Sequence, residues 1–167
     1  MLYDRILSSA DVEPSDSVDI AWHECAARAL RKTTRARREV RILLPLGRSL
    51  RDGDVLAAEA TGVAREGEQL AVLRVHVPAC EVWVTDPVDP DALATVALEL
   101  GNLHVPVQVS NGRLIVIADG PTREALDRYG VPFRTERRVF APLRATVLQG
   151  VKLAPGFEVR SAKPQAR

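Results

Sequence analysis

An α+β fold is predicted by three observations. Residues 1–78 carry short apolar runs separated by polar turns, the pattern of an all-β region. From residue 79 the apolar period switches between two and 3.6, in the order β-α-β-β-α-β. Each helix of that second region is announced by a proline, Pro90 at the first position of one and Gly120-Pro121 just before the other. The expected organisation is a β-rich domain over 1–78, a ferredoxin-like (βαββαβ) domain over 79–142, and a mobile basic tail over 143–167.

Leu2 to Leu7 alternates weakly and predicts a short strand. Ser8 to Ser17 is polar and predicts a loop. Val18-Asp19-Ile20-Ala21-Trp22 alternates with period two, which puts Val18, Ile20 and Trp22 on one face, Trp22 as a core anchor. Arg28 to Arg41 holds seven basic residues against Glu39 alone. Without interleaved aromatics it reads as a solvated strand pair rather than a nucleic-acid stripe. A docking surface for an acidic protein also fits. Val40 to Pro45 predicts a buried strand, Asp52-Gly53 a tight turn before a strand at Val55-Leu56, and Gly62 to Gln69 an exposed turn. Leu70 to Val77 predicts the last strand of this region, and Pro78 its boundary.

In the second region Glu81 to Thr85 predicts a strand. Asp89 is placed to cap a helix beginning at Pro90, with Leu93, Val96, Ala97 and Leu100 at the i, i+3, i+4, i+7 spacing of one apolar stripe. Gly101 is expected to end it. Asn111-Gly112 between apolar runs is a strong two-residue hairpin signal. A second helix follows Gly120-Pro121, expected to bury Leu126 and Tyr129 and to close at Gly130. Phe133 to Phe140 alternates as a final strand.

Composition removes several function classes. Lys+Arg 23 against Asp+Glu 22 leaves no general nucleic-acid footprint. The N-terminus lacks the layout of a signal peptide, and no apolar run approaches the roughly 20 residues of a membrane span. Cys25 and Cys80 form no C-x-x-C, which suits a reducing cytoplasm. No P-loop, G-x-S-x-G, H-E-x-x-H or dinucleotide fingerprint is present, so an enzyme is not expected.

The chemistry concentrates in Leu100-Gly101-Asn102-Leu103-His104-Val105-Pro106, where the first helix gives way to the hairpin. His104 sits there on a short connection stiffened by Pro106, a position suited to presenting a ligand atom. Imidazole nitrogen suits nickel, copper and zinc, but one imidazole does not make a metal site, because three or four ligands are the rule. A twofold homodimer would bring two copies of His104 together. Read by itself, a lone histidine in such a loop caps carbonyls or fills a gap. His23 and His76, on expected strands, are assigned surface or core roles.

The segment Gly101-Asn102-x-His104-x-Pro106-x-Gln108 resembles the LGNRHxPxQ stretch of the UreE family, the nickel-carrying urease accessory proteins. Trp22 before an Arg-rich strand, Leu44-Pro45-x-Gly47 and Leu50-x-Asp52-Gly53-Asp54-x-Leu56 extend the likeness over about residues 18–142. The resemblance implies a cytoplasmic homodimeric nickel metallochaperone that holds metal between protomers through His104 and takes zinc or copper in vitro. It further implies delivery of nickel to the apo-urease complex alongside the urease-maturation GTPase, with neither nucleic acid nor membrane as partner. The sequence departs from the family at Glu99, where a histidine is usual, at Leu103 for arginine, and at Pro142-Leu143 for Pro-Glu. A histidine-rich tail is also missing: no histidine follows His104. Glu99 is not expected to be a ligand, and Asn102, Pro106 and Gln108 are expected to shape the loop. These departures motivate one alternative, an interaction scaffold that has lost metal transfer; the basic run Arg28–Arg41 motivates another, an RNA-binding protein.

Overall fold

A computed structural model describes residues 1–7, 13–58, 71–86 and 89–143. The expected turn at 62–69 and the tail beyond Leu143 lie outside the described residues, as does most of the expected 8–17 loop.

Six strands form the first sheet: β1 (Leu2–Leu7), β2 (Asp16–Asp19), β3 (Ala29–Thr33), β4 (Glu39–Leu43), β5 (Val55–Ala58) and β6 (Val72–His76). Their order is β2-β6-β5-β1-β4-β3. The β1–β4 and β2–β6 pairs are parallel and the rest antiparallel. Period-two alternation sends Val40 and Ile42 of β4 inward, where they join Val18, Leu56, Leu73 and Val75 in one buried core. β2 begins two residues before the expected Val18 and ends at Asp19. Ile20 still donates its N–H to His76 O at 2.9 Å, so the parallel pairing with β6 extends one residue past the strand. The chain then turns, so Trp22 and His23 lie in the 22–26 turn rather than on a strand.

The basic run is a hairpin, β3–β4, and three of its seven cations are structural. Lys32 pairs with Glu24, Arg35 with Asp19 at 2.9 Å, and Arg38 with Asp16 at 2.9 Å, tying the hairpin to β2 and the turn after it. Asp16 is the hub of this tie. Burial would raise its carboxyl, but hydrogen bonds from the Thr34 hydroxyl, the Arg38 guanidinium and the Ser17 and Ala36 N–H groups outweigh that and hold it down at about 2.

The second sheet contains β7 (Cys80–Thr85), β8 (Val107–Ser110), β9 (Arg113–Ile117) and β10 (Phe133–Arg138), ordered β10-β7-β9-β8 with every pairing antiparallel. Helices α1 (Pro90–Asn102) and α2 (Gly120–Arg128) cover one face. Val96 and Leu100 from α1 and Ala125 and Leu126 from α2 pack there with Leu114 and Val116 of β9. Alternation turns Val82, Val84 and Ile115 to the other face, where Phe140 and Trp22 meet them. The Trp22 and Phe140 rings stand edge to face, 5.1 Å apart, so an aromatic pair joins the two halves of the chain.

The helix starts form as expected. Asp89 Oδ1 accepts the N–H groups of Asp91 and Ala92, and Asp119 Oδ1 that of Thr122. The hairpin turn puts Asn111 at φ 50° and Gly112 at φ 68°, the pair of left-handed residues a two-residue turn requires. Three details differ from the expectation. β10 stops at Arg138, because Val139 packs on the core of the first half and Phe140 packs against Val82, Val84 and Ile115 and the Trp22 ring. Tyr129 is 39% exposed rather than buried, because it caps α2 instead of extending its apolar stripe. Gly101 does not end α1, which runs to Asn102.

Candidate metal centre

That shift in the end of α1 decides the geometry of His104. Leu103 is the C-cap, and His104 follows in the left-handed conformation at φ 56°. Its N–H donates to Gly101 O at 2.9 Å, and the Val105 N–H donates to Leu100 O at 2.9 Å. These two bonds are the Schellman motif, in which the residue after the cap normally needs glycine's freedom. Val105 and Leu100 pack in the same cluster, the apolar contact that accompanies the motif. The backbone of His104 is therefore locked by two hydrogen bonds and a buried neighbour, while its side chain is exposed. The cap is what stiffens the loop, with Pro106 after it.

Beyond the loop, Gln108 and the chain's exit from the second sheet hold each other. Gln108 Oε1 accepts the Ala141 N–H at 2.9 Å, and the Leu143 N–H donates to Val107 O at 2.7 Å. The 139–143 strap is thereby laid along β8, with Gln108 holding Ala141 of the strap. The strap, the loop and the 22–26 turn enclose an open groove of about 640 Å³. His104 and His23 both line it, and the rest of the lining is apolar or backbone, including Trp22, Val105, Val109 and Leu143. Glu99 is not among the lining residues; its carbonyl accepts the Leu103 N–H at 3.0 Å. Leu103, Val109 and Leu143 leave large apolar side chains exposed around the histidine.

The other expected donors lie elsewhere. His76 Nδ1 is 3.3 Å from Asp52 Oδ1, an oxygen that also accepts the Val77 N–H. Cys25 is buried, with its Sγ donating to Ala21 O at 3.5 Å, and Cys80 is half-buried; the two do not form a disulfide, and burial pushes the Cys80 thiol up. Among the described residues, no three or more His, Cys, Asp and Glu side chains gather into a metal-holding group. One chain thus offers an exposed imidazole on a rigid loop, with an incomplete donor set around it.

Comparison with known proteins identifies the family. Residues 4–65 match the N-terminal domain model of the UreE urease accessory protein, and residues 72–153 its C-terminal domain model. The chain belongs to the UreE family. It is 30% identical over 149 residues to the urease accessory protein UreE of Acetivibrio thermocellus, covering 86% of this chain and 92% of that one. The UreE of Actinobacillus pleuropneumoniae is 31% identical over 137 residues, 81% of this chain and 68% of that protein. That of Haemophilus influenzae strain PittEE is 31% identical over 140 residues, 83% and 71%. UreE proteins are accessory to urease and are not themselves enzymes, which agrees with the lack of catalytic motifs. No helix among the described residues is long and apolar enough to cross a membrane.

The sequence marks His104 on its loop, but it does not mark His23 as a groove residue. The only sequence signal was its position directly after Trp22, a residue expected to anchor the core.

Proposed function

We propose that this UreE-family chain is a cytoplasmic nickel metallochaperone that delivers nickel during assembly of the urease active site. His104 is its metal ligand, and the chain works as a homodimer. One observation carries this reading: the exposed imidazole of His104 occupies a left-handed position that folding alone would give to glycine. A side chain held where the backbone disfavours it marks a candidate functional position. Imidazole is a good donor to Ni²⁺, and also to Zn²⁺ and Cu²⁺. The incomplete donor set of one chain suits a carrier that closes its site with a second copy of His104 and opens it again on transfer. The exposed apolar residues Leu103 and Val109 beside His104 suit a twofold contact there.

The sheet order β10-β7-β9-β8, with both helices on one face, supports a ferredoxin-like metal-binding domain over 79–142 after a partner-docking domain over 1–78. Its partners are the apo-urease complex and the urease-maturation GTPase. Nucleic acid is not among them, since three cations of the Arg28–Arg41 run are already neutralised within the fold.

Calorimetric titration of Ni²⁺ into the purified protein and His104→Ala tests the reading. It predicts about one nickel per dimer, lost in the variant, with affinity falling on acidification as protons compete for imidazole. Absence of nickel binding in the wild type would favour a second reading, an interaction scaffold without metal transfer. The lack of a three-donor group among the described residues is the observation on that side.

A further inference from the structure

We propose that His23 is a second imidazole donor to the metal ion held at His104, an inference that rests on the metal-ligand reading of His104. The chain has three histidines, and the structure sorts them. His76 stands beside the Asp52 carboxylate, outside the groove. His23 and His104 line one groove, both are exposed, and no described hydrogen bond engages a ring nitrogen of either. No other Cys, Asp, Glu or His side chain lines that groove, so these two imidazoles are its only strong metal donors among the described residues.

Each donor is held from below. His104 is fixed by the helix cap. His23 follows Trp22, whose ring it meets edge-on at 5.4 Å and 86°, and Trp22 is itself set against buried Phe140. The turn bearing His23 is pinned by Glu24, which accepts the Ala21 N–H at 2.9 Å and pairs with Lys32. The two donors therefore come from opposite halves of the chain, joined by the aromatic pair and the 139–143 strap. The rest of the lining is apolar or backbone, so no other strong donor side chain in the groove competes for the ion. Two neutral imidazoles without a thiolate or carboxylate make a site for a borderline divalent ion such as Ni²⁺ or Cu²⁺, and one weak enough to release it. Each imidazole coordinates through the lone pair of a ring nitrogen, and no electron transfer is involved.

Cu²⁺ serves as the spectroscopic probe and Ni²⁺ as the affinity probe, on the full chain. Wild type, His23→Ala and His104→Ala are compared by counting copper-coupled imidazole nitrogens in pulsed electron paramagnetic resonance. Nickel affinity is measured in parallel. The expected result is fewer coupled nitrogens in His23→Ala and nickel binding weakened by about tenfold or more. Because His23 is exposed, an unchanged thermal midpoint in that variant separates lost coordination from lost folding. An unchanged nitrogen count with unchanged nickel affinity in His23→Ala, while His104→Ala loses metal, overturns this inference and leaves the His104 reading intact. Wild-type binding in His104→Ala overturns both.

Discussion

The two helices beside the second sheet end in the same hydrogen-bonded turn, built around different residues. After α2, Tyr129 is the C-cap, Gly130 takes φ 62°, its N–H donates to Asp127 O, and the Val131 N–H donates to Leu126 O. After α1, Leu103 is the C-cap, His104 takes φ 56°, and the bonds run to Gly101 O and Leu100 O. The apolar contacts beneath correspond as well, buried Leu126 with Val131 and buried Leu100 with partly buried Val105. α2 uses the residue that the left-handed conformation favours; α1 does not. A non-glycine residue in that conformation costs about 1 kcal/mol, with histidine among the better tolerated. The end of α1 thus presents an exposed imidazole on the same cap geometry that α2 builds with glycine.

Four substitutions test this contrast, from the largest effect down. Leu100→Ala and Leu126→Ala each remove a fully buried side chain under a cap, and each should lower unfolding free energy by about 2–5 kcal/mol in denaturant titration. Similar losses would show that the caps rest on equivalent packing; a loss confined to one would break the comparison. Asp16→Asn is a control distant from both caps. It should cost roughly 2 kcal/mol near neutral pH, because the Asp16 carboxyl lies at about 2 in the fold against roughly 3.9 unfolded. For a carboxyl lowered in the fold, that stability is complete above the unfolded value. It is lost as pH falls through about 4 towards 2, so the wild type and Asp16→Asn should converge at acid pH. Nickel binding by Asp16→Asn should match the wild type.

Gly130→Ala leaves open space around the new methyl group, so its cost is purely that of the left-handed backbone, about 1–2 kcal/mol. His104→Gly should act in the opposite direction and raise stability by up to about 1 kcal/mol, or 2–4 °C in thermal midpoint. A midpoint lowered by His104→Gly would mean that the side chain supports folding, contrary to the display reading.

Much of this architecture was legible in local chemistry. Asp89 with Pro90, the stripe ending at Leu100, and Asn111-Gly112 each signal through one or two residues and their neighbours. The end of α1 was not legible in the same way. Gly101 offered itself as the left-handed residue, yet the helix kept it, because the cap depends on where Leu100 and Val105 meet in the core. Tertiary packing chose the register, and His104 inherited the strained position. The groove was hidden for a similar reason. His23 and His104 lie 81 positions apart (104 − 23), brought to one groove by Trp22 and Phe140, and no local spacing encodes that. The Arg28–Arg41 run was legible as a strand pair, but which cations were neutralised depended on Asp16, Asp19 and Glu24 in other segments.

The most direct measurement is the thermal midpoint of wild type and His104→Gly, each with and without excess Ni²⁺. A ligand that binds only the native state raises the midpoint. The expected result is a wild type that gains stability with nickel and a variant that starts higher and does not respond. A His104→Gly protein that gains as much from nickel as the wild type would contradict it.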